Sequence, residues 1–141
     1  MAKLLVKKLA DNAVLPKTHH ANEDAGIDLY TNESHTLAPG ETHAFTTGIA
    51  TQFETGYVAL IWDRSSYGAR GLHVLGGVID AGYRGEWKVV LHNLSDQPQE
   101  IRAGDRIAQA ILQRFEPTTV KISEELGAAQ RSAAGFGSSG R

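Results

Sequence analysis

The sequence predicts an all-β domain, a sandwich or barrel, from three observations: short extended runs, turn residues between them at short intervals, and almost no apolar spacing of helical period. Runs over residues 3–9, 43–53, 57–62, 86–94 and 107–115 are rich in β-branched and aromatic side chains. Ala38-Pro39-Gly40-Glu41, Glu54-Thr55-Gly56, Ser95-Asp96-Gln97-Pro98 and Ala103-Gly104-Asp105 separate them with residues that supply bends. At 141 residues the chain suits one domain.

The first run carries Lys3, Lys7 and Lys8 around an apolar core too short for a signal peptide. Ala25-Gly26-Ile27-Asp28-Leu29-Tyr30 alternates, so Ile27 and Leu29 share one face while Asp28 points to solvent or a ligand. A solvated strand Asp is the commoner outcome, yet Asp suits strands poorly, and metal-linked chemistry is one reason to place it there. Residues 62–71 join Arg64, Ser65 and Ser66 to two glycines directly after a buried-looking strand. A guanidinium fork, short hydroxyls and glycine-rich backbone suit phosphate oxygens, although Arg-Ser-Ser also occurs in ordinary surface turns.

Residues 76–87 predict a hairpin: Val78 and Ile79 favour a strand, Ala81-Gly82 a turn, and Trp87 to Leu91 a second extended run. Asp80 then ends a strand, where an acid can act on a ligand and Tyr83 can lay its ring against one. An ordinary hairpin whose Asp caps its own turn fits the same residues. Ile107 to Leu112 has the apolar content of a helix, but Gly104-Asp105 and the β-branched neighbours favour a buried strand. Residues 123–141 are dominated by Gly, Ala and Ser and are expected to be mobile without a ligand. A disordered end is the default there. Arg131 and Phe136 nevertheless have the chemistry of a closing flap, with a guanidinium for phosphate and a ring for a base.

Cysteine is absent, which excludes a disulfide framework or thiolate metal site and fits a reducing compartment. No apolar run approaches the roughly 18 residues of a membrane span. A cytoplasmic protein without a membrane partner is the expectation. A net charge of −2 argues against the nucleic-acid backbone as a direct partner, while a small anionic ligand remains compatible. His19 and His20 would point apart in a strand and are read as loop or surface residues rather than metal ligands.

Five motifs in order resemble the trimeric dUTP diphosphatase family, and they span nearly the whole chain. They are Ala-Gly-Ile-Asp-Leu at 25–29, Arg-Ser-Ser at 64–66, Gly-Val-Ile-Asp-Ala-Gly-Tyr-Arg-Gly-Glu at 77–86, Gly-Asp-Arg-Ile-Ala-Gln at 104–109, and Arg-x-x-x-Gly-Phe-Gly-Ser-Ser-Gly at 131–140. Each alone is weak; the ordered set is specific.

The resemblance implies a jelly-roll-like subunit (1–122) with a flexible C-terminal arm (123–141), a homotrimer with active sites at subunit boundaries, and hydrolysis of dUTP to dUMP and pyrophosphate. That reaction limits uracil incorporation into DNA and supplies dUMP for dTMP synthesis. By the same resemblance Asp80 is the general base that activates a water, and Asp28 reaches a triphosphate-bound Mg2+ through water. Arg64, Ser65, Ser66 and Gln109 handle phosphate oxygens, and Arg131 reaches the γ-phosphate. Phe136, followed by Gly137, covers the uracil. Backbone groups at Gly77 and Val78 read the base, and Tyr83 stacks on the sugar. Arg106 is expected to hold the scaffold by ion pairing.

The chain departs from the family pattern at three places. Val74 stands where many relatives carry Asn, Asp63 replaces a frequent Pro or Gly, and Ser132-Ala133-Ala134 replaces a Gly-x-Gly. Asp63 could tether Arg64 or weaken phosphate attraction. The rival dCTP deaminase family shares the fold but carries a catalytic Glu ten residues after the third-motif Asp, where this chain has Val90. A non-catalytic dUTP-binding regulatory module is the alternative from another class, against which Asp80, Asp28 and Arg131 argue.

Overall fold

A computed structural model describes residues 2–20 and 22–129. The expectations for Arg131, Phe136 and Gly137 therefore lie outside the described residues. The elements are β1 (Leu5–Lys8), β2 (Ile27–Tyr30), β3 (His35–Leu37), β4 (Thr42–Thr46), β5 (Ile49–Gln52), β6 (Tyr57–Trp62), α1 (Ser65–Gly68), β7 (Leu72–Leu75), β8 (Val78–Asp80), β9 (Lys88–Asn93), β10 (Gln99–Ile101) and β11 (Arg106–Arg114). Strands of three to nine residues, broken by turns, bear out the all-β expectation.

The strands form open antiparallel ladders with orders β2-β11-β6-β8, β4-β9-β7, β1-β5 and β10-β3. Alternation along each strand sends one face inward, so Leu29, Leu37, Phe45, Leu72, Trp87, Leu91, Ile101 and Ile107 are almost fully buried between the ladders. Each such side chain contributes about 1.5–3 kcal/mol relative to exposure. Among the described residues no helix is long and apolar enough to cross a membrane.

Three expectations change. The run 43–53 is two strands, because the chain turns at Gly48 and β5 leaves β4 to pair with β1. Arg-Ser-Ser does not lie in an open turn: Ser65 begins a single helical turn that buries Tyr67. The predicted hairpin over 76–87 keeps its turn, with Tyr83 N–H donating to the Asp80 carbonyl at 3.0 Å, but its two arms do not pair. β8 joins β6 in one ladder, whereas β9 lies between β4 and β7 in another. Trp87 explains the separation, since a wholly buried indole at the start of β9 anchors that arm in the core. Ile107 to Leu112 is strand, as expected.

Candidate active site

In the β2-β11-β6-β8 ladder, Gln109 stands opposite Asp28 on one side and Trp62 on the other. Opposed residues share a sheet face, so these three side chains project together while Leu29, Ala108, Ala110 and Ile61 point into the core. The expected orientation of Asp28 is thus observed. Gly26 permits close packing here, because a Cβ at that position would overlap the Gln109 side-chain carbonyl. Gln109 Nε2 in turn donates to the Asp63 carbonyl at 2.8 Å, which ties β11 to the chain entering the Arg-Ser-Ser turn.

Simple alternation would send Arg106, three residues before Gln109, to the opposite face. A β-bulge between Arg106 and Ala108 lets Arg106 oppose Tyr30 while Ala108 opposes Leu29. One extra residue restores Arg106 to the Asp28 face. Its Nη1 lies 3.1 Å from Asp28 Oδ2. Arg64 Nε reaches Asp28 Oδ1 at 3.3 Å, and Arg64 Nη1 donates to the Arg106 carbonyl at 3.1 Å. His19 Nε2 completes the group at 2.9 Å from Asp28 Oδ2. Arg106 therefore ion-pairs as expected, but within the site rather than apart from it.

These residues line a cavity of about 610 Å³ with His20, Glu23, Asp24, Ser65 and Ile111. The loop before β2 closes one side. There Asp24 accepts the backbone N–H of His20 at 2.8 Å and of His19 at 3.1 Å. The His20 N–H lowers the Asp24 carboxyl below its ordinary value, against some desolvation, and the His19 N–H adds to the effect. Ser66 is exposed on α1 and does not line the cavity. Asp63 does not pair with Arg64: it accepts the Val74 N–H at 2.6 Å and contacts His73 Nδ1 at 2.8 Å, which fastens β7. Val74 is a buried core residue.

A second cavity, of about 270 Å³, is lined by Gly77, Val78, Ile79, Asp80, Tyr83, Glu86, Trp87 and Lys88. β8 is the terminal strand of its ladder. Ile61 N–H donates to the Gly77 carbonyl at 2.8 Å, so Gly77 turns its backbone acceptor inward to β6. The next pair, Leu60 and Val78, must then turn its backbone groups away from each other. Val78 presents one N–H and one C=O along the free edge. Gly77 allows this because its φ is +93° and a Cβ would lie 2.9 Å from the Ile61 carbonyl oxygen. The far wall is anchored through Glu86, which accepts the Gly48 N–H at 2.8 Å, and through Trp87 N–H on the Ile49 carbonyl at 2.9 Å. Tyr83 OH donates to the Glu86 carbonyl at 3.1 Å. Asp80 is exposed, and among the described residues no hydrogen bond or ion pair engages its carboxylate.

The structure thus brings Asp28, Arg64, Ser65 and Gln109 together, and separately Gly77, Val78, Asp80 and Tyr83; the two cavities share no lining residue. Sequence reasoning missed His19 and Asp24 as neighbours of Asp28. Their adjacency depends on a loop path, including Asn22 at φ 70°, that carries no periodic signal.

Comparison with known proteins identifies the family. The dUTPase family model matches residues 11–140. A deoxyuridine 5'-triphosphate nucleotidohydrolase of Thermobifida fusca is 45% identical over 96% of this chain and 77% of its own length. One from Nautilia profundicola is 40% identical over 99% of both chains. Among solved structures, a Staphylococcus bacteriophage 80alpha dUTPase mutant with dUpNHpp has a TM-score of 0.89 and 29% identity over 99% of both chains. A phage phi11 dUTPase mutant, described with a structural Mg(II) ion, has a TM-score of 0.79 and 27% identity over 89% of this chain and 99% of its own. With a family match across nearly all of its length, the chain belongs to the dUTPase family.

Proposed function

We infer that this protein is a hydrolase that converts dUTP and water to dUMP and pyrophosphate. The observation that carries the reading is the match to nucleotidohydrolases of that name across 96–99% of the chain. Nothing favours deamination: Val90 lies in β9, away from the lining of the Asp80 cavity, and an aliphatic side chain cannot move protons.

In the proposed reaction Asp80 accepts a proton from water while the water oxygen forms a bond to the α-phosphorus. The bond from that phosphorus to the oxygen bridging to the β-phosphorus breaks, and pyrophosphate leaves. Orientation of the water against the carboxylate supplies much of the effect. Among the described residues no partner competes for the Asp80 oxygens, which leaves them available to the water. Tyr83 is proposed to stack on the deoxyribose and exclude a 2′-hydroxyl. The paired donor and acceptor of Val78 match one edge of uracil and mismatch cytosine, which leaves polar groups unpaired and rejects the wrong base.

Arg64, Ser65, Ser66 and Gln109 are proposed to hold phosphate oxygens, with Arg131, Phe136 and Gly137 of the arm closing over the nucleotide. Without a nucleotide, Asp28 takes the place of phosphate for both Arg64 and Arg106. Asp28 is already shared by two guanidinium groups, which disfavours its holding a resident ion by direct contact. It fits a Mg2+ carried by the triphosphate and touched through water. When bound, that ion neutralises charge on the phosphates.

The separation of the two cavities supports a homotrimer in which Asp80 of one subunit faces the Asp28 cavity of another. We take 1–122 as the barrel domain and 123–141 as the arm. Val120, Ile122 and Leu126 are exposed at 91, 101 and 91%, a run of apolar side chains suited to a neighbouring copy. A reducing cytoplasmic setting, with neither nucleic acid nor membrane as partner, remains the proposed context.

Pyrophosphate release from dUTP, dTTP, UTP and dCTP with Mg2+ tests the reading. Turnover of dUTP alone is expected. Equal turnover of all four would end the specificity argument, ammonia from dCTP would indicate the deaminase, and tight binding without product would indicate the regulatory module.

A further inference from the structure

Away from both cavities, the turn between β3 and β4 gathers four ionisable side chains. His35 belongs to the β10-β3 ladder and His43 to β4-β9-β7, so the cluster spans two ladders. Their imidazole rings stack with centroids 4.1 Å apart and planes at 14°. Buried Phe45 sets its ring edgewise beneath both, at 6.1 and 4.7 Å. Glu41 is fixed in the turn, with Oε2 accepting the Ala38 N–H at 2.7 Å and Oε1 lying 2.7 Å from His35 Nε2. Glu33 accepts the Thr46 N–H at 2.8 Å on the same Oε1 that lies 3.2 Å from His43 Nε2.

We propose that His35, Glu41 and His43 bind one first-row transition-metal ion of the Zn2+ class, with Glu33 orienting His43. One donor atom from each of the three lies within 4.8 Å of the others. Tetrahedral zinc with metal–nitrogen bonds near 2.0–2.1 Å needs donor separations of roughly 3.3 Å. Closing that difference requires the stacked rings to swing about their Cβ–Cγ bonds, and side chains about one-third exposed, at 34, 32 and 31%, have room to do so. Two imidazoles and one carboxylate form a set that leaves a fourth position for water. Imidazole nitrogen favours Zn2+, Ni2+ or Cu2+ over Mg2+, which prefers oxygen, so Mg2+ competes poorly for this donor set.

Charge and second contacts support the same ion. Glu33 and Glu41 bring two carboxylates to the pair of imidazoles, a charge that one divalent ion offsets. An ionised Glu33 can only accept, so His43 Nε2 is the donor in this contact and Nδ1 is the nitrogen left to face a metal. A carboxylate on the non-ligating nitrogen is the usual support for a metal-bound histidine. Bound metal would clip the two ladders across the β3–β4 turn and raise thermal stability.

Zinc is titrated calorimetrically into the full chain in Mg2+ buffer, and the same sample is melted with and without Zn2+. One ion per chain is expected, with Tm raised by roughly 5 °C or more at a hundredfold excess over Kd. Glu33→Gln should weaken binding about 10- to 100-fold. His35→Gln with His43→Gln should abolish it while dUTP hydrolysis with Mg2+ persists. No stoichiometric binding, or binding retained by that double variant, overturns the proposal. Should the double variant fail to fold, Co2+ broadening of imidazole resonances in the unaltered protein decides: His35 and His43 support the site, and broadening confined to His19 and His20 overturns it.

Discussion

Asp28 and Asp80 stand on strands of one ladder, yet their surroundings differ in kind. Asp28 has a side chain only 13% exposed and meets Arg64, Arg106 and His19, whereas the exposed Asp80 carboxylate meets no described partner. The first arrangement stores cationic groups against a surrogate anion. The second keeps a base free at the end of an edge strand where Val78 turns its backbone groups outward. A phosphate-holding region needs charge held in place before the ligand arrives, while a proton-accepting region needs lone pairs left open.

Removing the free base should have the largest effect. Asp80→Asn is expected to lower turnover about 10²- to 10⁴-fold while binding of a non-hydrolysable dUTP analogue stays within a few-fold. Pyrophosphate release and analogue titration measure the two, and an unimpaired rate removes Asp80 from the role of base. The next test asks whether the two regions cooperate across subunits. Asp80→Asn and Arg64→Ala proteins, each inactive alone, should regain activity when co-refolded, with roughly a quarter of sites intact for random trimers. No recovery would mean that both cavities of a site come from one chain.

Arg106→Met removes one partner of Asp28 and one candidate phosphate donor. A charge-assisted hydrogen bond of about 1.5–3 kcal/mol predicts a rise in KM near 10- to 100-fold, with kcat less affected. A fall in kcat at constant KM would instead assign Arg106 to the transition state. The smallest effect concerns acid stability outside both cavities. For Glu33, burial raises the carboxyl, but the Thr46 N–H together with His43 outweighs it and the net value falls below the ordinary 4.5. A depressed folded value stabilises fully above that ordinary value and is lost as pH falls through the lower folded one. In chelator-treated protein, Tm of Glu33→Gln should therefore decline less steeply than the parent below pH about 4.5. Parallel slopes would exclude Glu33 from the acid transition.

The legible part of the site was local. Asp28 could be assigned to an outward face because strand side chains alternate, and Ala81-Gly82 announced its turn because those residues favour one. Arg106 was harder: its direction depends on a bulge that exists only where β11 must match β2 and β6 together. His19 was unreadable for the same reason, since its nearest partner Asp28 is reached through a loop rather than a repeat.

By itself the sequence determined the strand character of the chain, its turns, the outward placement of Asp28 and, through five ordered motifs, its family. These follow from neighbours within a few residues and from side-chain periodicity. Only the tertiary structure decided that β8 and β9 part company, that Asp28 and Asp80 occupy separate cavities, and that His35 stacks on His43 across two ladders. Strand partners are chosen by burial of residues such as Trp87 against distant segments, and no local pattern carries that information.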